Sequence, residues 1–381
     1  MNIDQETAKQ LLATGAFLLL MDAPWQTGPR FKGLKLIPPG FHFIHYSSKS
    51  TSTGDTGVRT GFFKFFASKE IYVTQWNASE EDLMEQESLD KAQVERLKYN
   101  IMEFEPSLGA YPLIPHPQQP LPTFQKWLRL TNYITEPLLK SLLPSTKKVS
   151  SLVSVSRFSD LDESILPSGS KAVDSEGKQE LVSLNIRFTP IDLKRSYPAN
   201  ATPDQVTKYF QDKSWLLNSV LKSFYDQVRF SYYKALLGEL QFSFILFLVG
   251  QVYDGLEQWK CLTQLVCSSE EALSSPLSST LFYEFLGTLH SQLEECPEDF
   301  FVDALSSSNF LRSAIVDLVC NVRDPDAVNR LPNVKLEQRV TKFVELVTER
   351  FKWDLEEAVQ ERWAAQDIEE GEFAPMVVED E

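Results

Sequence analysis

The apolar period of this chain changes once, and that change limits the fold more than any motif. Between residues 16 and 76, apolar side chains come in short runs and alternations broken by Pro, Gly and Ser. Beyond residue 200 they recur every three to four positions. A period near two builds sheets and a period near 3.6 builds helices, so the spacing predicts a β-rich domain followed by a helical one. With 381 residues and about 100–200 residues per domain, two domains also fit the length. The predicted class is α+β: an N-terminal antiparallel β-sandwich-like domain with accessory helices, a C-terminal all-α domain and an acidic flexible tail.

Ala16 to Met21 is a buried-strand candidate between Gly15 and Asp22-Ala23-Pro24. Leu34 to Ile37 and Phe41 to Tyr46 flank Pro38-Pro39-Gly40 as strand, turn and strand. Alternation places Phe41, Phe43 and His45 on one face of the second strand and His42, Ile44 and Tyr46 on the other. Gly61 to Ala67 and Ile71 to Trp76 continue a meander. Helices are expected over Leu89 to Phe104 and Thr123 to Ile134, joined by a stiff stretch with six prolines from Pro106 to Pro122.

Ten serines fall between Ser145 and Ser175, a composition poor in core-forming residues. The expected organisation is a β-rich domain over 1–144, a Ser-rich flexible segment over 145–180, a returning strand and connector over 181–199, a helical domain over 200–353 and an acidic tail over 354–381. The alternation of Leu181 to Phe188 supplies the returning strand. Thr202-Pro203-Asp204-Gln205 opens the helical domain as N-cap, first-turn proline and capping box. Tyr232 to Val249 is apolar on nearly all sides, as a central helix should be. Gln251–Cys267, Ser279–Glu295, Pro297–Leu305, Phe310–Cys320 and Val334–Trp353 follow with helical spacing.

Lys and Arg number 37 against 53 Asp and Glu, a net charge of −16. Such a field disfavours direct binding to RNA or to anionic membranes. From Asp354 to Glu381 the chain has eleven acids and one base, a block expected to be solvated. Its end, Phe373-Ala374-Pro375-Met376-Val377-Val378, is β-prone and suits strand addition to a partner's sheet edge. Phe373, Met376, Val377 and Val378 are therefore the candidate partner-binding residues. Cys261, Cys267, Cys296 and Cys320 lack metal-type spacing and read as reduced core residues. No basic leader precedes an apolar run, and no apolar stretch approaches the roughly 20 residues of a membrane span.

Catalytic patterns are missing. Neither a glycine-rich phosphate loop nor a G-x-S-x-G elbow occurs. His42 and His45 sit three apart, which on a strand sends them to opposite faces, so a small-barrel metal site is the weaker alternative to ordinary sheet residues. No catalytic residue, cofactor or metal is assigned.

The blocks GPRFKGLKLIPPGFHFIHYS (28–47), TFQKWLRLTNYIT (123–135), LGELQFSFILFLVGQVYDGLEQWK (237–260), FFVDALSSSNFL (300–311) and FKWDLE (351–356) resemble the Aar-two family of splicing factors. The resemblance implies a helical domain similar to VHS modules and a noncatalytic role in assembling the U-five small nuclear ribonucleoprotein. The implied partner is the particle's largest core protein, held by its RNase H-like and MPN-like domains until the RNA helicase replaces the factor, and RNA is kept off meanwhile. It also implies phosphorylation-aided release, with Ser274, Ser275 and Ser278 as candidate sites on an exposed loop. The expected protein is monomeric outside the complex and resides in cytoplasm and nucleus. A VHS-type adaptor is the remaining alternative.

Overall fold

The computed structural model describes residues 12–23, 31–49, 56–111, 123–144, 147–151, 186–228, 232–298, 310–324 and 334–370, with residues 9 and 300. Contacts divide the chain into a β-rich unit (1–131 and 145–152) and a helical unit (132–144 and 153–381).

The β-rich unit holds eight strands among the described residues: β1 Ala16–Met21, β2 Gly33–Ile37, β3 Gly40–Lys49, β4 Thr56–Phe66, β5 Ile71–Asn77, β6 Asp82–Met84, β7 Gly109–Ala110 and β8 Lys148–Ser150. They form one sheet ordered β6-β5-β1-β2-β7 and a second ordered β3-β4-β8. Most pairings are antiparallel, but β1 runs parallel to β5 and β2 parallel to β7. The continuous apolar run of β1 is explained by burial on both faces. Ala16, Leu18 and Leu20 meet Tyr46, Phe66 and Tyr72 in one cluster, and Leu19 meets Val73, Val94 and Ile101 in another. The second cluster is closed by helices α1 Lys91–Tyr99 and α2 Ile101–Phe104. The helix expected over Leu89 to Phe104 thus breaks at Asn100, and the next one ends at Thr131 as α3 Thr123–Thr131. Gly33 has φ +137°, and a Cβ there would stand 1.9 Å from the Leu18 carbonyl oxygen, so only glycine fits where β2 crosses β1.

The helical unit begins earlier than the charge and serine patterns place it. Helix α4 Glu136–Leu142, capped by the Thr135 hydroxyl, belongs to it. Next come α5 Pro203–Gln211, α6 Ser214–Val228, α7 Tyr232–Leu248, α8 Tyr253–Cys267, α9 Pro276–Glu295, α10 Phe310–Arg323, α11 Val334–Phe351 and α12 Leu355–Glu370. The capping box expected at Thr202 and Gln205 is present. Helix α7 is buried from Ala235 to Leu246 and packs on α6, α8 and α9; α8 then meets α10, α9 meets α11 and α10 meets α12.

Three expected boundaries differ. Lys148–Ser150, at the head of the Ser-rich segment, adds an edge strand to β4, because a three-residue strand needs only backbone partners and one buried side chain, here Val149. Residues 152–180 of that segment lie outside the described residues. So do residues 181–185 of the expected returning strand, while Ile186 to Pro190 make no strand and Phe188 packs on Phe242 of α7. The acidic region from 354 starts as α12, because Leu355, Ala358 and Val359 form a buried stripe beneath the acids. The helix expected at Pro297 to Leu305 lies almost wholly outside the described residues.

Candidate interaction site

The helical unit takes non-helical segments across its central helix, and side chains of α7 hold them. Glu239, fully buried, accepts from the Thr189 amide (2.8 Å), the Thr189 hydroxyl (2.7 Å) and Gln258 Nε2 (2.8 Å). Gln258 also donates to the Thr189 carbonyl at 2.9 Å. Both main-chain groups of Thr189, in a segment with no ladder, are thereby satisfied. Gln241 repeats the device two positions along: its Oε1 accepts from the Tyr133 amide at 2.8 Å and its Nε2 donates to Asn132 Oδ1 at 2.6 Å. On the far side, Trp259 Nε1 donates to Gln292 Oε1 at 2.9 Å. Gly238 allows this approach, since a Cβ there would lie 2.5 Å from the Tyr133 carbonyl oxygen. The sequence signal for these residues was Glu239 and Gln241 inside an otherwise apolar helix.

Beside the Thr189 clasp lies a cavity of about 420 Å³, floored by Leu142, Phe188, Leu216, Val220 and Phe224. Arg187 stands at its wall, where its guanidinium donates to the carbonyls of Lys140 (3.1 Å) and Leu143 (2.7 Å) and so closes the C-terminal end of α4.

A second polar corner joins α5, α6 and the turn before α9. Burial holds the Lys213 ammonium below its ordinary range; it donates to Ser196 Oγ (2.9 Å) and to the carbonyl of Phe210 (2.6 Å). Asp212 accepts from the amides of Ser214, Glu270 and Glu271. The candidate serines adjoin this corner. Ser274 is exposed and ends a short 3-10 turn. Ser275 is the N-cap of α9 with no side-chain capping bond, and Ser278 lies in the first turn of that helix. The candidate tail residues Phe373, Met376, Val377 and Val378 lie outside the described residues.

The two histidines do not converge. His42 is buried, its Nε2 is 2.8 Å from the Pro38 carbonyl oxygen, and its ring lies among Phe66, Tyr111, Phe124 and Trp127. His45 is exposed on the other face beside Phe43. Among the described residues, no group of three or more His, Cys, Asp or Glu could hold a metal ion, and no helix is long and apolar enough to cross a membrane. Burial pushes the Cys296 thiol up to about 12 and Cys320 to about 11, which keeps them protonated and unreactive near neutrality.

Comparison with known proteins gives a consistent result over both units. The model described as "AAR2 N-terminal domain" matches residues 18–144, and "AAR2 C-terminal repeat region" matches residues 188–356. Protein AAR2 homolog of Pongo abelii is 32% identical over 405 aligned residues, which cover 100% of this chain and 97% of the relative. The Homo sapiens homolog is 32% identical over 403, covering 99% and 97%. A1 cistron-splicing factor AAR2 of Saccharomyces cerevisiae is 25% identical over 274, covering 70% and 71%. With both domain models in order and full-length relatives at this identity, the chain belongs to the AAR2 family.

Proposed function

We propose that this chain is an assembly factor in pre-mRNA splicing that works by binding protein, without catalytic turnover. The observation that carries this reading is the match of both family domains along one chain, together with the yeast relative's name as a splicing factor. The proposed partner is the largest core protein of the U-five small nuclear ribonucleoprotein, engaged through its RNase H-like and MPN-like domains. While bound, the factor delays the RNA helicase and RNA. Residence in both cytoplasm and nucleus belongs to the same proposal.

The charge distribution supports a protein partner. The helical unit has 22 Lys and Arg against 39 Asp and Glu, a field that repels nucleic acid. The hexad Phe373–Val378 is proposed to add a strand to a partner sheet through Met376, Val377 and Val378. Phosphorylation at Ser274, Ser275 or Ser278 is proposed to aid release. A phosphate at Ser275 would sit at the positive end of α9.

Affinity purification of the full chain with protein identification tests the reading. The expected result is a very large spliceosomal protein in stoichiometric amount, reduced when residues 371–381 are deleted. Recovery of the chain with RNA in place of that protein overturns it.

A further inference from the structure

Among the described residues, strand β3 leaves one edge of its sheet open. Arg59 of β4 turns its amide toward Ser151 Oγ (3.1 Å), on the β8 side. The β3–β4 register runs without a shift from Ser47–Arg59 to Gly40–Phe66. Alternation in an antiparallel ladder therefore directs the main-chain groups of Phe41, Phe43, His45 and Ser47 away from β4. The Phe41 carbonyl confirms the direction, since it accepts from the Trp127 indole Nε1 at 2.7 Å. Past that cap, no hydrogen bond among the described residues reaches the amides or carbonyls of Phe43 and His45 from the open side. Long open edges invite another strand, and proline or a covering segment is the usual protection. Residues 43–47 contain no proline.

The ground beside this edge is aromatic, and the two strands themselves carry no acid at positions 41–47 and 59–66. Phe41 and Phe65 lie 5.1 Å apart and Phe43 and Phe63 4.7 Å apart, and Phe65 is 50% exposed. Arg59 stands close enough to His45 to act on its charge, while Lys64 lies on the opposite face, held by Glu70 at 2.7 Å. In a chain of net charge −16, such a site favours an apolar strand with acidic ends.

We propose that this edge receives residues 373–378 of a second copy of the chain by strand addition. That hexad is apolar and β-prone, preceded by Glu369, Glu370 and Glu372 and followed by Glu379, Asp380 and Glu381. Pro375 sets the pairing, because its nitrogen cannot donate and must face outward. Ala374, Met376 and Val378 then turn their N–H and C=O groups to β3, opposite Phe43, His45 and Ser47. Eleven residues follow the described end at Glu370, enough for a six-residue strand of about 20 Å. A donor in another molecule needs no particular arrangement of its own domains. The pairing departs from the expected monomer, is independent of who the splicing partner is, and withholds the tail from that partner while it lasts.

The test compares the full chain, a chain ending at Glu370, and the variants M376P and V377P, by sedimentation velocity and amide exchange over a wide concentration range. All changes lie beyond the described fold. The expected result is concentration-dependent association with slowed exchange at Phe43 and His45, lost in the shortened chain. M376P, which places proline where a donor faces β3, weakens association by about tenfold or more. V377P, whose nitrogen faces outward like that of Pro375, leaves it unchanged. Equal behaviour of the full and shortened chains, or of the two proline variants, overturns the proposal. Slowed exchange that does not depend on concentration overturns the second copy as donor.

Discussion

In the β-rich unit, strands satisfy one another's backbones, and polar side chains act as ties between strands at the rim. Lys64 meets Glu70 at 2.7 Å and Lys148 meets Asp82, each with about a fifth to a third of the side chain exposed. The helical unit does the reverse. Its helices need no outside partner for their backbones, but the amides of Tyr133 and Thr189, in the segments that cross them, are met by side chains, and Glu239, Gln241 and Gln258 are buried to receive these segments. The charge follows the same division: 15 Lys and Arg against 14 Asp and Glu in the β-rich unit, 22 against 39 in the helical unit. Polar groups are thus cheap ties in one unit and buried framework in the other, since an unsatisfied buried group costs about 1–3 kcal/mol while an exposed ion pair contributes about 0–1.

That contrast can be broken by substitution, with the largest effect at Glu239. E239A strands the Thr189 amide and hydroxyl and takes one of its two acceptors from Gln258, and urea unfolding should show a loss of about 3–5 kcal/mol. A loss under about 1 kcal/mol would show that the clasp is dispensable and remove the contrast. In the β-rich unit, the sensitive position is steric: G33A should cost about 2–4 kcal/mol by forcing both the positive φ and the clash with Leu18. Y46F, which removes the hydroxyl that donates to Asp82, should cost about 1 kcal/mol, because Lys148 still holds that carboxylate.

The smallest effect is on pH dependence. Burial lowers the His42 pKa from its ordinary 6.5, with the Pro38 carbonyl opposing in part. As pH falls through 6.5 the unfolded chain gains this proton first, so the stabilising contribution is complete above 6.5 and is lost toward the lower folded value. H42Q should flatten the fall in urea midpoint between neutral pH and about pH 5.5. Part of the slope should survive through His45, whose pKa is also lowered by burial and by Arg59.

Local chemistry made much of the architecture legible. The β1 run, the Pro38-Pro39-Gly40 turn, the Thr202 capping box and the apolar circumference of α7 each correspond to an element within a few residues. The shorter elements were hidden by composition. Lys148–Ser150 sits in serine-rich sequence, and its place depends on the free side of β4. Helix α12 is overlaid with acids, yet Arg362 meets Asp317 at 3.3 Å and Arg323 meets Glu356 at 2.8 Å to fasten it on α10. Of the candidate site, the resemblance puts the three serines on an exposed loop, and in the structure Ser274 ends a 3-10 turn, Ser275 caps α9 and Ser278 lies in its first turn, whereas the clasp at Thr189 joins residues 50 and 69 positions apart that no local period relates.

The sequence by itself determined most of the longer strands and helices and where several of them start, because these depend on neighbours a few positions away, and it determined that acids outnumber bases. Strand alternation had already parted His42 and His45, whereas tertiary structure alone decided that Glu239 would face Thr189 and that β3 would be an edge. Those outcomes depend on which distant backbone arrives beside a given side chain, and chain spacing does not record that.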